Sequence, residues 1–98
     1  MPAIMVTIAS FAQDGAEHYA RYAAGVLPLL VKAQVKLRER LGGREALVGD
    51  DFPDIVAVME FPDEATMKFF LSSREYQALI PHRKKAFRKL RTFSCEVL

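Results

Sequence analysis

Glu60 is the residue whose type and position most strongly indicate chemistry. It is an acid within IVAVMEF, residues 55–61, where every other residue is apolar. If residues 34–41 and 55–61 pair as a hairpin that turns near residue 50, Arg40 lies opposite Glu60. Such a pair has two interpretations: a site for a small anion or an ordered water, or an ion pair that fixes the strand register.

Histidine and tyrosine side chains form a second group of candidates. His18 and Tyr22 lie in the first predicted helix and Tyr76 in the second. Near a cleft, these side chains can act as general acids or bases; they are also common at partly exposed helix positions. Thr7 fits either a polar contact inside a barrel or the preference of threonine for strands. The candidate ligand-binding residues are therefore Glu60, Arg40, Thr7, His18, Tyr22 and Tyr76.

No metal site or cofactor is predicted. The two histidines have no carboxylate at ligand spacing, and the sequence contains no glycine-rich phosphate loop or His-Glu-x-x-His motif. The single cysteine, Cys95, excludes an internal disulfide and predicts a reducing, cytoplasmic setting. We expect Cys95 to be a small buried apolar residue.

The segment HRKKAFRKLR, residues 82–91, is strongly basic. Residues 83–98 carry 6 Lys/Arg and 1 Asp/Glu, whereas residues 1–82 carry 8 and 11. As a helix, the segment would suit phosphate contacts or a membrane surface, or it would be the solvated face of a helix that packs on a sheet. The residue 55–61 strand has one aromatic and no Lys/Arg-Gly-Phe signature, which argues against an RNA-binding sheet.

Six elements must position these residues, in the order β-α-β-β-α-β. Predicted strands cover residues 3–11, 34–41, 55–61 and 92–98. In the second strand, Val35, Leu37 and Leu41 alternate with Lys36, Arg38 and Arg40, which predicts two different faces. Glycines at 42 and 43 predict a bulge or bend at the end of that strand.

Capping residues mark the predicted helix starts. Asp14 and Asp63 are predicted N-caps, and Ser72–Glu75 has the sequence of a capping box that restarts the second helix. Phe61, two residues before Asp63, is placed to pack against Met67 in a hydrophobic staple. The stretch from 60 to 75 therefore joins a strand to two successive helical segments.

This order predicts a single ferredoxin-like α+β domain over residues 1–98, with a four-stranded antiparallel sheet and two helical segments on one face. The first and third strands are apolar on both faces, and 51% of all residues are hydrophobic. The helices cover only one sheet face, so a second copy of the chain is expected to cover the other. The N-terminal apolar run is too short to span a membrane.

A set of residues in this order also resembles a known family. The strongest part is Glu60-Phe-Pro62 followed by Ser73-Arg-Glu75-Tyr76-Gln77-Ala78-Leu79. The other parts are Tyr22, Val26-Leu-Pro28-Leu-Leu30, Arg40, Glu45, Gly49-Asp50 and Arg83. Nearly the whole chain is similar to the family catalogued as domain of unknown function thirteen-thirty, of the dimeric α+β barrel superfamily. The resemblance implies two ferredoxin-like monomers joined into an eight-stranded barrel, and it implies no established activity.

The sequence thus predicts an uncharacterised homodimeric α+β barrel protein that binds a small organic ligand in the barrel or in the helix–sheet cleft. One alternative is a cofactor-independent oxygenase or isomerase, by analogy with other dimeric barrels. Another is nucleic-acid or membrane-surface binding through residues 82–91. Whether the protein is an enzyme stays open at this point.

Overall fold

The computed structural model describes all 98 residues. Four strands and four helices follow one another in the order β1 (Ala3–Phe11), α1 (Ala16–Lys32), β2 (Lys36–Gly42), β3 (Ile55–Phe61), α2 (Glu64–Ser72), α3 (Arg74–Gln77), α4 (Ile80–Ala86) and β4 (Phe87–Cys95). The bounds predicted for β1 and β3 are confirmed. The second predicted helical segment consists of α2, α3 and α4.

The strands form one antiparallel sheet in the order β2-β3-β1-β4, as the ferredoxin-like prediction requires. Residues that pair across strands share a sheet face. Met5, Met59 and Phe61 therefore lie on the face that packs against the helices, which we call the helix face. Val6 and Val58 lie on the opposite face, which no helix covers and which we call the open face.

Local capping interactions build the corner after β3. Asp63 accepts a 2.7 Å hydrogen bond from the Thr66 backbone and so caps α2. The helix restarts at Ser73, whose hydroxyl accepts a bond from the Tyr76 backbone. Capping and restart are thus confirmed, with Ser73 rather than Ser72 as the cap. Phe61 is fully buried and joins Met67 in the core.

Asp14 was wrongly predicted to cap α1. It has a left-handed backbone, with φ at 61°, in a tight turn that the Gly15 N–H closes on the Ala12 carbonyl. Gly15 occupies the capping position instead, and no side chain caps the helix. The turn geometry therefore moves the carboxylate away from the first helical N–H groups.

A bulge in β2 lies at Arg38 and not at the predicted glycines. The pairing with β3 shifts between Leu37 and Glu39. Leu37 and Arg40, three residues apart, consequently both lie on the helix face, and Leu41 lies on the open face. A bulge interrupts the alternation of side chains between the two sheet faces, because its extra residue moves every side chain beyond it to the opposite face.

The basic segment 82–91 is not one helix, contrary to the prediction. Helix α4 ends at Ala86, and β4 begins at Phe87 instead of residue 92. A second register shift, where Phe11 pairs with Phe87 and Ser10 with Lys89, leaves Arg88 without a partner residue on β1. Phe87 and Leu90, three residues apart, therefore lie on the same face of the sheet. In the sequence, apolar residues at a spacing of three are typical of one face of a helix.

The hydrophobic core lies under α2 and α3, where Met5, Phe61, Met67, Phe70 and Tyr76 pack together. Helix α1 packs mainly on α4 and α3 and makes few close backbone contacts with the sheet. Gly25 permits this packing, because a Cβ there would lie 2.5 Å from the Leu79 side chain. The space between α1 and the sheet is therefore only partly filled.

Candidate ligand-binding site

A half-open cleft of about 400 Å³ lies between α1 and the helix face of the sheet. Of the 22 residues that line it, 19 are hydrophobic. Ala9 and Ala57 are buried in its floor, where their small side chains leave room. Leu27 and Val31 of α1, with Leu37 of β2, form an exposed apolar rim. The cleft is thus an apolar space that the chain does not fill with its own side chains.

Two threonines supply the polar groups of the cleft floor. Thr7 and Thr92 pair across β1 and β4, and their hydroxyl oxygens are 3.0 Å apart. Thr7 had been predicted as a candidate, whereas Thr92 had not. Its position opposite Thr7 depends on the β1–β4 register, which the sequence does not display.

Arg40 is the one charged side chain in the lining. The bulge at Arg38 turns Arg40 toward α1, where its guanidinium donates a 2.8 Å hydrogen bond to the Tyr19 hydroxyl. No carboxylate lies within ion-pair distance of Arg40. The guanidinium group therefore has donors that protein acceptors do not use.

Three side chains form a polar chain at the α3 end of the cleft. The Tyr22 and Tyr76 hydroxyls are 2.9 Å apart, and Arg83 donates a 3.0 Å bond to the Tyr76 hydroxyl. Burial, with Tyr76 adding to the effect, raises the pKa of Tyr22 above its ordinary range. Tyr22 is thus a neutral hydrogen-bonding group at physiological pH.

Glu60 does not join this site. It lies on the open face, 17% exposed, and forms a 2.9 Å ion pair with Arg38. The predicted pairing with Arg40 was wrong, because the hairpin is centred nearer residue 48 than residue 50, and the bulge adds a further shift of one residue. Arg40 therefore lies opposite Ala57, and Lys36 lies opposite Glu60. The ion pair and the cleft lie on opposite sides of the sheet.

His18 also lies outside the cleft lining. Its ring is 6.0 Å from that of His82 on α4, and its Nδ1 atom is buried without a hydrogen-bond partner. No group of three or more His, Cys, Asp or Glu side chains could hold a metal ion. The six candidates therefore divide into four in the cleft, Thr7, Tyr22, Arg40 and Tyr76, and two elsewhere.

The basic residues from 82 to 91 have separate environments. Arg83 bonds to Tyr76, and Lys89 forms a 3.0 Å ion pair with Asp51 of the β2–β3 loop. Arg91 pairs with Ile8 on the open face. Cys95, predicted to be buried, is exposed in the single chain because it lies near the end of the edge strand β4.

A family model described as domain of unknown function (DUF1330) matches residues 6–93. The chain belongs to this family. The resemblance seen in the sequence is thereby confirmed. No significant match was found among curated proteins.

Solved structures with the same fold support the architecture of this DUF1330 protein. The chain is 23% identical to RPA0582, a protein of unknown function from Rhodopseudomonas palustris, with a TM-score of 0.87 over 99% of this chain and 82% of that one. A dimeric ferredoxin-like protein of unknown function from Jannaschia sp. CCS1 is 12% identical, with a TM-score of 0.75 over 99% of this chain and 100% of that one.

A third structure, from Bacteroides fragilis NCTC 9343, is described as dimeric, of unknown function and with a ferredoxin-like fold. It is 15% identical, with a TM-score of 0.64 over 98% of this chain and 96% of that one. At these identities the similarity establishes the fold alone. Within this DUF1330 chain, none of the helices has the length and apolar character needed to cross a membrane.

Proposed function

We propose that this DUF1330 protein binds a small, largely apolar organic molecule in the cleft between α1 and the sheet. The observation that carries the proposal is the cleft itself: about 400 Å³ of space with 19 hydrophobic residues among its 22 lining residues. Sites for small organic ligands have this character, with volumes of about 300–1,000 Å³ and few polar groups. Protein interiors are normally close-packed, and a chain gains stability by filling such a space with its own side chains. A cleft that the chain leaves unfilled is therefore available to a ligand.

The distribution of polar groups supports this proposal. The threonine pair of the floor and the tyrosine hydroxyls at the α3 end lie at separate points of an otherwise apolar lining. Such groups orient a ligand by hydrogen bonds, while burial of its apolar surface supplies most of the binding free energy. No side chain of the lining is a cysteine, serine or histidine.

We also propose that the protein is a homodimer joined through the open face. On that face, Ile4, Val6, Ile8, Val56 and Val58 form a continuous apolar surface across β1 and β3. Arg38 and Glu60 are joined in an ion pair on this face, and a paired charge costs less to bury than an unpaired one. Lys36, Glu39 and Arg91 also lie on the open face, outside its apolar centre. Similar structures from Jannaschia and Bacteroides fragilis are described as dimeric.

Binding in the cleft can be tested with the neutral fluorescent probe N-phenyl-1-naphthylamine, whose emission rises in apolar surroundings. We expect a saturable rise in fluorescence with the wild-type protein. Ala23→Phe fills the cleft from α1, since Ala23 lines it, and should weaken probe binding by about ten-fold or more.

The matched control is Ala24→Phe, which adds the same ring one residue further along α1 at an exposed position. Its probe affinity should equal that of the wild type. Circular dichroism would establish that both variants keep their helix content. A wild-type protein that gives no saturable signal, or equal losses in the two variants, would contradict binding in the cleft.

A further inference from the structure

Arg40 is a solvent-exposed cation without a counter-ion at the edge of an apolar cleft. The lining contains no aspartate or glutamate, and Arg40 is its one charged residue. The four ion pairs of the structure involve other cations: Arg21, Arg38, Lys68 and Lys89. From this we infer that the ligand of the cleft is an organic anion, an apolar acid whose carboxylate contacts Arg40. The inference rests on the proposed function, since it concerns the ligand of that same cleft.

The contrast between two neighbouring arginines supports this assignment. Arg38 lies on the open face and meets Glu60 at 2.9 Å. Arg40, two residues further on, is turned to the helix face by the bulge and meets only the neutral Tyr19 hydroxyl at 2.8 Å. One hydrogen bond occupies one of the five N–H donors of a guanidinium group. Arg40 therefore retains donors for a second acceptor.

The chemistry of arginine defines the class of ligand. A guanidinium group is planar and always charged, and it binds a carboxylate through two parallel hydrogen bonds. Hydrogen bonds to charged groups are stronger where apolar surfaces exclude water, as the rim of Leu27, Val31 and Leu37 would do around a bound molecule. A cationic ligand would be repelled by Arg40 and would find no carboxylate in the lining.

Tyr19 fixes the direction of the arginine. Its ring packs edge-on against Phe11 and Phe87, with ring centroids 5.0 and 5.8 Å away. These contacts hold the Tyr19 hydroxyl beside Arg40, so both groups lie at one side of the cleft. The carboxylate would lie at this side and the apolar body of the acid would extend along the floor over Ala57.

The inference can be tested by calorimetric titration with decanoate and with 1-decanol, which share a chain but differ in charge. At about pH 7.5 the carboxyl group of decanoate is ionised. The wild type should bind decanoate about ten-fold or more tightly than decanol. Arg40→Gln should remove this preference and leave decanol affinity unchanged, and Arg40→Lys should retain part of it.

Arg44→Gln is the matched control, because Arg44 is an exposed cation outside the cleft lining and forms no ion pair. It should bind both compounds as the wild type does. Equal affinities of the wild type for the two compounds, or a preference that survives in Arg40→Gln, would overturn the inference and leave the proposed function intact. Failure of both compounds and of the neutral naphthylamine probe to bind would overturn both.

Discussion

At the scale of single residues, the chemistry depends on which sheet face each side chain occupies. Arg38 and Arg40 have the same side chain and lie two positions apart, yet one is paired with Glu60 and the other faces the apolar cleft. The pattern of strand residues alone assigns them to the same face. The bulge separates them, so a residue type predicts a role only once its face is known.

The Tyr22 phenol gives a prediction for the dependence of stability on pH. Burial raises its pKa in the folded chain above the ordinary value of 10.0. Above about pH 10 the unfolded chain therefore loses the Tyr22 proton while the folded chain keeps it. The free energy of unfolding is unaffected by this group below about pH 10, and it should fall by about 1.4 kcal/mol per pH unit above that value.

Urea unfolding of the wild type and of Tyr22→Phe measures this contribution. The phenylalanine variant should lose stability less steeply between about pH 10 and 11. Between about pH 7 and 9, where neither state ionises Tyr22, the difference between the two proteins should be constant. Parallel curves over the whole range would contradict a raised pKa for this group.

At the scale of secondary-structure elements, two kinds of local feature shape the chain. Capping side chains mark the start of α2 and the start of α3 directly after it. Bulges in β2 and β4 reverse the side chains beyond them. The caps depend on neighbours three residues apart in sequence, whereas each bulge depends on the partner strand. This difference explains why the cap at Asp63 was predictable, and the helix restart predictable to within one residue, whereas the bulge positions were not.

The restart of the helix can be tested at the serine pair. Ser73 accepts a hydrogen bond from the Tyr76 N–H and donates one to the Phe70 carbonyl at 2.8 Å. Ser73→Ala should lower the free energy of unfolding by about 1 kcal/mol, because it leaves the first turn of α3 without its cap.

Ser72→Ala is the control for this experiment. The Ser72 hydroxyl is exposed and reaches only the Phe69 carbonyl at 3.3 Å, so its loss should change stability by no more than about 0.5 kcal/mol. Denaturant unfolding measures both effects. Equal changes in the two variants would show that the capping interaction at Ser73 contributes little.

At the scale of the whole molecule, the chain is a flat two-layer structure with dimensions of 36 × 34 × 16 Å. One layer is helices and the other is the sheet, so the outer side of the sheet has no cover from its own chain. A stable interface buries about 800 Å² per partner, and a face of this breadth is large enough to supply that area. The cleft and the open face are on opposite sides of the sheet, so dimerisation through that face leaves the cleft accessible.

The proposed homodimer leads to a prediction about association. The wild type should sediment as a dimer at micromolar concentration. Val58→Lys places a charge at the centre of the open face, where Val58 pairs with Val6, and should give a monomer. Val31→Lys places the same charge on the exposed side of α1 and should remain dimeric. A monomeric wild type, or a dimer that survives Val58→Lys, would exclude this interface.

The sequence by itself determined the order of elements, the ferredoxin-like fold, the cap at Asp63, the restart of the second helix at the serine pair, and the bounds of β1 and β3. These features follow from contacts between residues close together in the chain and from the distribution of apolar residues. Only the tertiary structure decided that Arg40 meets Tyr19 rather than Glu60, and that Thr92 joins Thr7 in the floor of the cleft. Strand registers and bulges are fixed by hydrogen bonds between distant segments, and a single-residue shift exchanges the two faces of a strand.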